Sequence, residues 1–377
     1  MSEPGEEPAI GAVVLGMGRS GTSAVTEMLV AAGFSAGRER DLMAADRHNP
    51  RGYWENLRIW ELNEEILGRL GGSWFAPPPE EAQRTARDWA TARLEGALTQ
   101  LVAHGDGAPV ALKDPRVGVM MTLWAPIIAR YLHPVLVIRD PLEIAQSLCL
   151  RDATPVPFAL ASWELHLTAL VRHLRDRVVT VAPYRELLGS PDLPRRLVAA
   201  VAGHLTDDCA RVVRPEAAGA ALDPTLRRRR AAVGEQEQEL TGRQLALWRM
   251  LAGLEAGDQR LRAPGELLRP NPTARACVAA EAKRLQQAEQ AAARERQMAA
   301  TLHECGTLAQ RLEAASDATR SLTMTVTAER ARAETAATAQ RQAEDRLEVM
   351  QASWSWRLTA PLRAGRRRLR APAERVP

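Results

Sequence analysis

Between Thr273 and Ala360 the chain has no proline and a single glycine, Gly306, in a stretch dominated by Ala, Gln, Glu and Arg. Such residues are good helix formers and nothing among them breaks a helix, so this part of the chain must form one long helix or a coiled coil. Its heptads are weak: Leu347, Met350 and Trp354 keep a 3-4 spacing, but many earlier core positions are Ala, Thr or Ser. No aromatic residue falls between Arg249 and Ser353, while 13 of the 15 aromatics lie from Phe34 to Trp248. An aromatic-anchored core therefore belongs to the first two thirds. Pro264, Gly265, Pro270 and Pro272 suit a hinge between the two parts. The expected organisation is a flexible start (1–9), an α/β domain (10–248), a linker (249–272), a helical segment (273–353) and a basic Trp/Arg-rich tail (354–377).

Composition excludes several classes. A formal net charge of +4 over 377 residues gives no reason to expect a nucleic-acid partner. The four cysteines, Cys149, Cys209, Cys277 and Cys305, form no C-x-x-C pair, which argues against a disulfide framework or a zinc cluster. Neither H-E-x-x-H nor carboxylates with ligand spacing occur, so no metal is expected. The apolar run from Ala9 to Leu15 is far shorter than the ~20 residues a membrane helix requires, and a cytoplasmic location is expected. Lysine occurs only at Lys113 and Lys283, and arginine supplies every other basic side chain. Lys113 thus marks a place where a compact ammonium is wanted.

In the first two thirds, short apolar runs alternate with helical patterns. Ile10–Leu15, Val110–Leu112, Val135–Ile138 and Val178–Val181 read as strands of a parallel α/β sheet. Ligands in such sheets sit beyond the carboxyl ends of the strands, where the polar sequences of this chain fall.

The first of these is Gly16-Met17-Gly18-Arg19-Ser20-Gly21-Thr22-Ser23, joining a strand to a breaker-free helical stretch. Glycines let backbone N–H groups turn toward an anion, the helix start adds partial positive charge, and Arg19, Ser20, Thr22 and Ser23 supply side-chain donors. G-x-G-x-x-G also fits a dinucleotide-binding unit with Glu39 or Asp41 at the ribose, but residues 36–40 are not an apolar strand. A nucleoside-triphosphatase loop needs Gly-Lys-Ser/Thr, and Gly21 is followed by Thr22. An ordinary glycine turn is the bland alternative. Arg-Ser-Gly-Thr-Ser after an apolar strand resembles the 5′-phosphosulfate loop of sulfotransferases, which use 3′-phosphoadenosine 5′-phosphosulfate (PAPS).

Two further segments extend the resemblance. Val135–Ile138 runs into Arg139, then Asp140 as a helix cap, Pro141 at the first helical position and Glu143 closing a capping box. Arg139 and Ser147 resemble the pair with which sulfotransferases hold the 3′-phosphate, and a guanidinium fork suits that group. Lys113-Asp114-Pro115 resembles the element of tyrosylprotein and related bacterial sulfotransferases whose lysine steadies charge on the transferring sulfuryl group and its bridging oxygen; a structural ion pair of Lys113 with a nearby acid is the alternative. Asn49-Pro50-Arg51-Gly52-Tyr53-Trp54-Glu55 resembles bacterial carbohydrate sulfotransferase-like proteins; it nominates Glu55 as the base, with His48 and Asp46 in reserve, and the alternative is that Trp54 packs the core while Glu55 makes a cap or salt bridge. Gly71-Gly72-Ser73-Trp74 could extend the acceptor wall. Arg185 and Glu186 depart from the acids of the family's late segment, Gly18 stands where bacterial relatives carry histidine, and Arg227–Arg230 reads as a solvated run or a cover for the nucleotide.

The resemblance spans about residues 10 to 230. It implies a P-loop NTPase-like parallel sheet flanked by helices, followed by the long C-terminal helix. It also implies a metal-independent transfer of sulfuryl from PAPS to a hydroxyl, with a carbohydrate or glycan intermediate as acceptor. The catalytic residues implied are Glu55, Lys113 and Arg19; the nucleotide-binding ones are Gly18, Arg19, Ser20, Gly21, Thr22, Ser23, Arg139 and Ser147. A small-molecule kinase and a non-catalytic coiled-coil scaffold are the alternatives. The helix offers a route to homo-oligomers. Ser353–Arg363 is similar to the ends of bacterial surface-glycan enzymes, and its indoles and arginines suit peripheral contact with a membrane or a glycan-assembly partner.

Overall fold

Period-2 alternation explains the sheet. Val13 and Leu15 of the first strand fall in one buried cluster, and Ala12 and Val14 in another. Both faces of the sheet are therefore covered, as its nearly uninterrupted apolar runs require. The computed structural model describes residues 8–221 and 238–359. Arg227–Arg230 and the basic run from Arg366 to Arg370 lie outside the described residues.

In chain order the elements are β1 (Gly11–Leu15), α1 (Thr22–Ala31), α2 (Leu57–Arg69), α3 (Glu80–Thr85), α4 (Arg87–Ala103), β2 (Val110–Lys113), α5 (Arg116–Val119), α6 (Met121–Tyr131) and β3 (Leu132–Ile138). They continue with α7 (Pro141–Asp152), α8 (Val156–Leu174), β4 (Val178–Pro183), α9 (Tyr184–Leu187), α10 (Leu193–Ala202), α11 (Asp207–Val212), α12 (Gly242–Ala252), β5 (Gly257–Arg260), α13 (Pro272–Ala352) and α14 (Trp354–Leu358). The sheet has the order β2-β1-β3-β4-β5, parallel except for the antiparallel edge strand β5. Its register aligns Val14 with Lys113, Leu15 with Leu136 and Ile138 with Pro183, so β1, β2, β3 and β4 end together at one edge. After α1 the chain passes through a 3-10 turn at Glu39–Asp41 rather than a strand, which removes the dinucleotide-binding topology.

The larger cluster packs α2, α4, α6, α7 and α8 on one face, with Trp124 and Trp163 fully buried in it. The smaller packs α1 and α10 on the other. The helix α7 starts where expected: Asp140 accepts from the N–H of Leu142 at 2.8 Å, with Pro141 first. Glu143, expected to close a capping box, pairs with Arg139 at 3.0 Å.

The expected linker (249–272) is instead part of the core-bearing unit, which extends from Met1 to Gln287. Leu251, Leu261, Leu267 and Leu268 are buried in the main cluster, and β5 pairs with β4. Glu164 on α8, buried at 1% exposure, binds Arg243 at 2.9 Å and Asn271 at 2.8 Å and so pins this segment to the core. The prolines shape a packed return to the sheet, not a hinge. Ala274 and Val278, in the first turns of α13, pack on Phe158, Ala161 and Leu165. The second unit, Ala288–Pro377, contains the remainder of α13, and every residue from 293 to 352 is exposed. Among the described residues no helix is long and apolar enough to cross a membrane.

Candidate functional site

Beyond β1 the chain turns sharply into α1. Arg19 adopts φ 73 and Gly21 φ 98, both in the left-handed region. Gly21 has a second reason to be glycine, because a Cβ there would stand 2.2 Å from Cδ2 of Tyr184 at the start of α9. The ring of Tyr184 thus closes over the loop. Thr22 and Ser23 open α1, whose first N–H groups have no intrahelical partners and carry partial positive charge. Ser20 does not join them: its hydroxyl donates to the carbonyl of Met17 at 2.7 Å and the residue is 2% exposed, outside the cleft lining. In this structure its side chain braces the turn.

Arg139 follows β3 and reaches back to this loop. Its Nη1 donates to the carbonyl oxygen of Arg19 at 2.9 Å, its Nε to Glu143 at 3.0 Å, and its guanidinium stacks on Tyr184 at 4.8 Å. Arg19 in turn donates from Nε to Ser147 Oγ at 2.9 Å and from Nη1 to the carbonyl of His48 at 3.5 Å. The resemblance placed Arg19 at the transferring group, but its side chain crosses to Ser147, one turn and a half along α7. Arg19, Arg139 and Ser147 form one hydrogen-bonded cradle.

At the end of β2, Lys113 Nζ donates to Glu55 Oε1 at 2.5 Å and to the carbonyl of Tyr53 at 3.1 Å. Both side chains are almost fully buried, at 3% and 6% exposure, so the pair is a desolvated one whose separation would be costly. Arg116 faces the other oxygen of Glu55 at 3.5 Å and is itself fixed by Asp114 at 3.0 Å, by Glu64 and by the ring of Trp60 at 5.4 Å. Burial acts against the charged form of Arg116, but Asp114 and Glu64 outweigh it and raise its pKa. Asp114 is held from behind by Asn63 at 2.8 Å, which accepts from the indole of Trp124 at 3.2 Å.

The reserve bases fare differently. Both oxygens of Asp46 are occupied, one by the N–H groups of His48 and Asn49 at 2.8 Å, the other by the Tyr53 hydroxyl at 2.9 Å. Slight burial raises its pKa, but these hydrogen bonds outweigh it and hold the carboxyl below the usual range, which makes it a poor proton acceptor. Tyr53 is pushed up by burial and by the same Asp46 bond. His48 lines the cleft.

These groups surround a cavity of about 580 Å3, within the ~300–1,000 Å3 typical of small-molecule sites. Gly18, Arg19, Gly21, Thr22, Ser23, Glu55, Lys113, Arg139 and Ser147 all line it. Trp60, Trp74, Tyr184, Arg116 and Arg151 also line it. Sequence reading assigned no site role to Arg116, Tyr184 or Arg151. Tyr184 could have been found, since it follows the carboxyl end of β4, and Arg116 ends the same Lys-Asp-Pro-Arg run as Lys113.

At the opposite edge of the sheet, His133, His204 and Asp258 bring donor atoms within 4.8 Å of one another. The two imidazoles are parallel within 5° at 3.9 Å, so their in-plane lone pairs cannot meet on one ion as arranged. They end a hydrogen-bonded chain: His133 to Thr180 at 2.8 Å, Thr180 to Asp258 at 2.6 Å, and His204 to Asp258 at 2.9 Å.

No protein-family model matches the chain, and no curated protein matches it. Among solved structures, a match is the sulfotransferase domain from the olefin synthase of Synechococcus PCC 7002, 16% identical over 75% of this chain and 98% of that one, with a TM-score of 0.36. Another is the sulfotransferase domain from the curacin biosynthetic pathway, 14% identical over 58% of this chain and 86% of that one, with a TM-score of 0.33. Likeness at this level transfers no chemistry, which rests on the residues of the cleft.

Proposed function

We propose that the chain transfers a sulfuryl group from PAPS to a hydroxyl group of a carbohydrate or glycan intermediate. One observation carries this reading: the glycine loop at the start of α1 and a cluster of Arg139, Arg19 and Ser147 line one cleft, with Arg139 on the carbonyl of Arg19 at 2.9 Å and Arg19 on Ser147 at 2.9 Å. A nucleotide with phosphate on both its 3′ and 5′ sides calls for two such elements within its own span, and ATP and NAD lack the 3′ group.

In this reading the start of α1, with Gly18, Gly21, Thr22 and Ser23, receives the 5′ end, and Arg139, Ser147 and Arg19 hold the 3′-phosphate. Lys113 steadies charge on the oxygen that departs with the 5′-phosphate. Glu55 takes the acceptor proton as the new S–O bond forms and the old one breaks. A sulfuryl group carries less negative charge than a phosphoryl group, so these donors can serve without a metal. Tyr53, Trp60 and Trp74 line the same cleft as Glu55 and would give a sugar acceptor aromatic surface to pack on.

Calorimetry with the desulfated nucleotide PAP, with ATP and with NADH tests the nucleotide. PAP should bind, and ATP binding without any response to PAP would sink the proposal in favour of a kinase. Radiolabelled PAPS with a panel of glycans tests turnover, which Lys113→Ala should lower by about 10²–10³-fold. PAPS that is bound but never consumed would leave a scaffold.

The tail is proposed to touch anionic lipid. Trp354 is 83% exposed and Arg357 is exposed on the same short helix, while the arginines from Arg363 onward lie outside the described residues. Flotation with anionic vesicles should carry the full chain but not one ending at Ser353; equal recovery in the soluble fraction removes the idea.

A further inference from the structure

The second unit exposes a row of large apolar side chains that nothing else among its described residues covers. Met298, Leu308, Leu312, Leu322 and Val326 are 62–74% exposed, and Leu347 and Met350 are 48% and 45% exposed. Counted along α13, these side chains obey one register. Every seventh residue from Met298 gives Met298, Cys305, Leu312, Val326, Ala333 and Leu347, with Thr319 and Gln340 as polar exceptions. Three residues further on lie Leu308, Ala315, Leu322, Ala336, Ala343 and Met350, with Thr301 and Glu329 as exceptions. These are the a and d positions of a heptad repeat that runs unbroken from Met298 to Met350. The Ala and Thr residues that make the repeat look weak occupy its layers without shifting the phase.

The stripe is narrow. Among the large aliphatic residues of this stretch only Leu302, Met324 and Val349 stand off it, at e, f and c. A strict a/d seam is the width that one partner helix covers, whereas a helix in a larger bundle needs apolar residues at e or g as well. A 3.5-residue period also demands a partner that supercoils with the same period over the same length. A flat protein surface cannot track it, and a second copy of this chain does so by identity. The e and g positions do not oppose the copy: they are mostly uncharged, and Glu304, Arg311, Arg330, Arg332, Glu344 and Arg346 mix both signs.

We infer that α13 joins two copies of the chain in a parallel, in-register, two-stranded coiled coil through the a/d face from Met298 to Met350. Register follows from the polar layers. In the parallel pair Thr301, Thr319 and Gln340 each meet their own kind, as do Leu312 and Leu322. An antiparallel pair centred on the same stretch would set Leu308 against Gln340 and Thr301 against Leu347. Glu329 at d then faces Glu329 of the second copy, a repulsion that Arg330 at the adjacent e position of each copy offsets. The inference is independent of the chemistry proposed for the cleft.

Cys305 occupies an a position and is exposed in the single chain, so it reports the register directly. The experiment uses the full chain at about 10 µM, with mass from light scattering and mild copper-phenanthroline oxidation followed by a non-reducing gel. The expected mass is twice the 41.3 kDa of one chain. A covalent dimer should form and should vanish in Cys305→Ser, which also controls for the exposed Cys149. The double variant Leu312→Glu/Leu322→Glu should run as a monomer whose melting transition in tryptophan fluorescence matches the wild type. Met324→Glu, off the seam at f, should remain dimeric. A monomeric or trimeric wild type, a dimer that survives the double variant, or a dimer with no Cys305 cross-link would each overturn the inference.

Discussion

Arg139 and Glu143 stand one helical turn apart with side chains 9% and 4% exposed, so the guanidinium is held in place before any ligand arrives. Arg139→Lys keeps the charge opposite Glu143 but loses the planar fork. Titration calorimetry should show PAP affinity reduced by about tenfold or more, the equivalent of ~1.5–3 kcal/mol for a charged hydrogen bond. Binding of adenosine 5′-phosphate should change little; an equal loss for both nucleotides would place Arg139 away from the 3′ group. At Gly21 the backbone argument is separable from chemistry. Gly21→Ala must drive a methyl group into Tyr184 from a φ of 98, so a loss of about 1–3 kcal/mol is expected. Chemical denaturation would register it. Gly21→Ala combined with Tyr184→Ala should recover part of the loss, and no recovery would mean that backbone strain dominates.

The strand β5 carries Gly257-Asp258-Gln259-Arg260, with no apolar residue, yet its Asp258 anchors Thr180 and His204 beside His133. Burial first, and then the charge of His204, push the pKa of His133 down to about 3. Burial likewise pushes His166 on α8 down to about 4, although its Nε2 donates to the carbonyl of Trp74 at 2.7 Å. In the unfolded chain both imidazoles titrate at about 6.5. Folding therefore keeps protons off groups that would bind them, so this stability is complete above about pH 6.5 and is lost as pH falls through about 4 for His166 and about 3 for His133. Thermal melts between pH 7.5 and 4.5 should show Tm dropping with acidification, and His166→Gln should flatten the slope. A Tm independent of pH over that window would mean that the two rings are hydrated.

Two truncations test how the molecule divides. A chain ending at Gln287 retains all three apolar clusters and every strand, and should melt cooperatively and bind PAP. A chain ending at Trp248 removes β5 and the buried Leu251, Leu261, Leu267 and Leu268. Buried leucines are worth ~2–5 kcal/mol each on truncation, and whole domains have only ~5–15 kcal/mol in hand. The shorter chain should be unfolded or insoluble, and a soluble, cooperatively melting product would restore the boundary suggested by aromatic content alone.

The sequence by itself determined what depends on local chemistry. Short apolar runs between helical patterns made the four parallel strands legible, the glycine loop and the Asp140-Pro141 cap placed two helix starts, and the absence of breakers after Pro272 required a long helix. Because parallel strands deliver their loops to one edge, the positions of Arg19, Lys113 and Arg139 on that edge also followed from order along the chain. What only the tertiary structure decided depends on partners distant in sequence. A polar edge strand has no signature until Thr180 and His204 take up Asp258, and prolines look like a hinge until Glu164 binds Arg243 and Asn271. In the cleft, the direction of Arg19 toward Ser147, the inward turn of Ser20 and the pairing of Lys113 with Glu55 are likewise settled by neighbours 3 to 128 residues away. Residue type gives a side chain its charge and reach, but burial and long-range hydrogen bonds choose where it points.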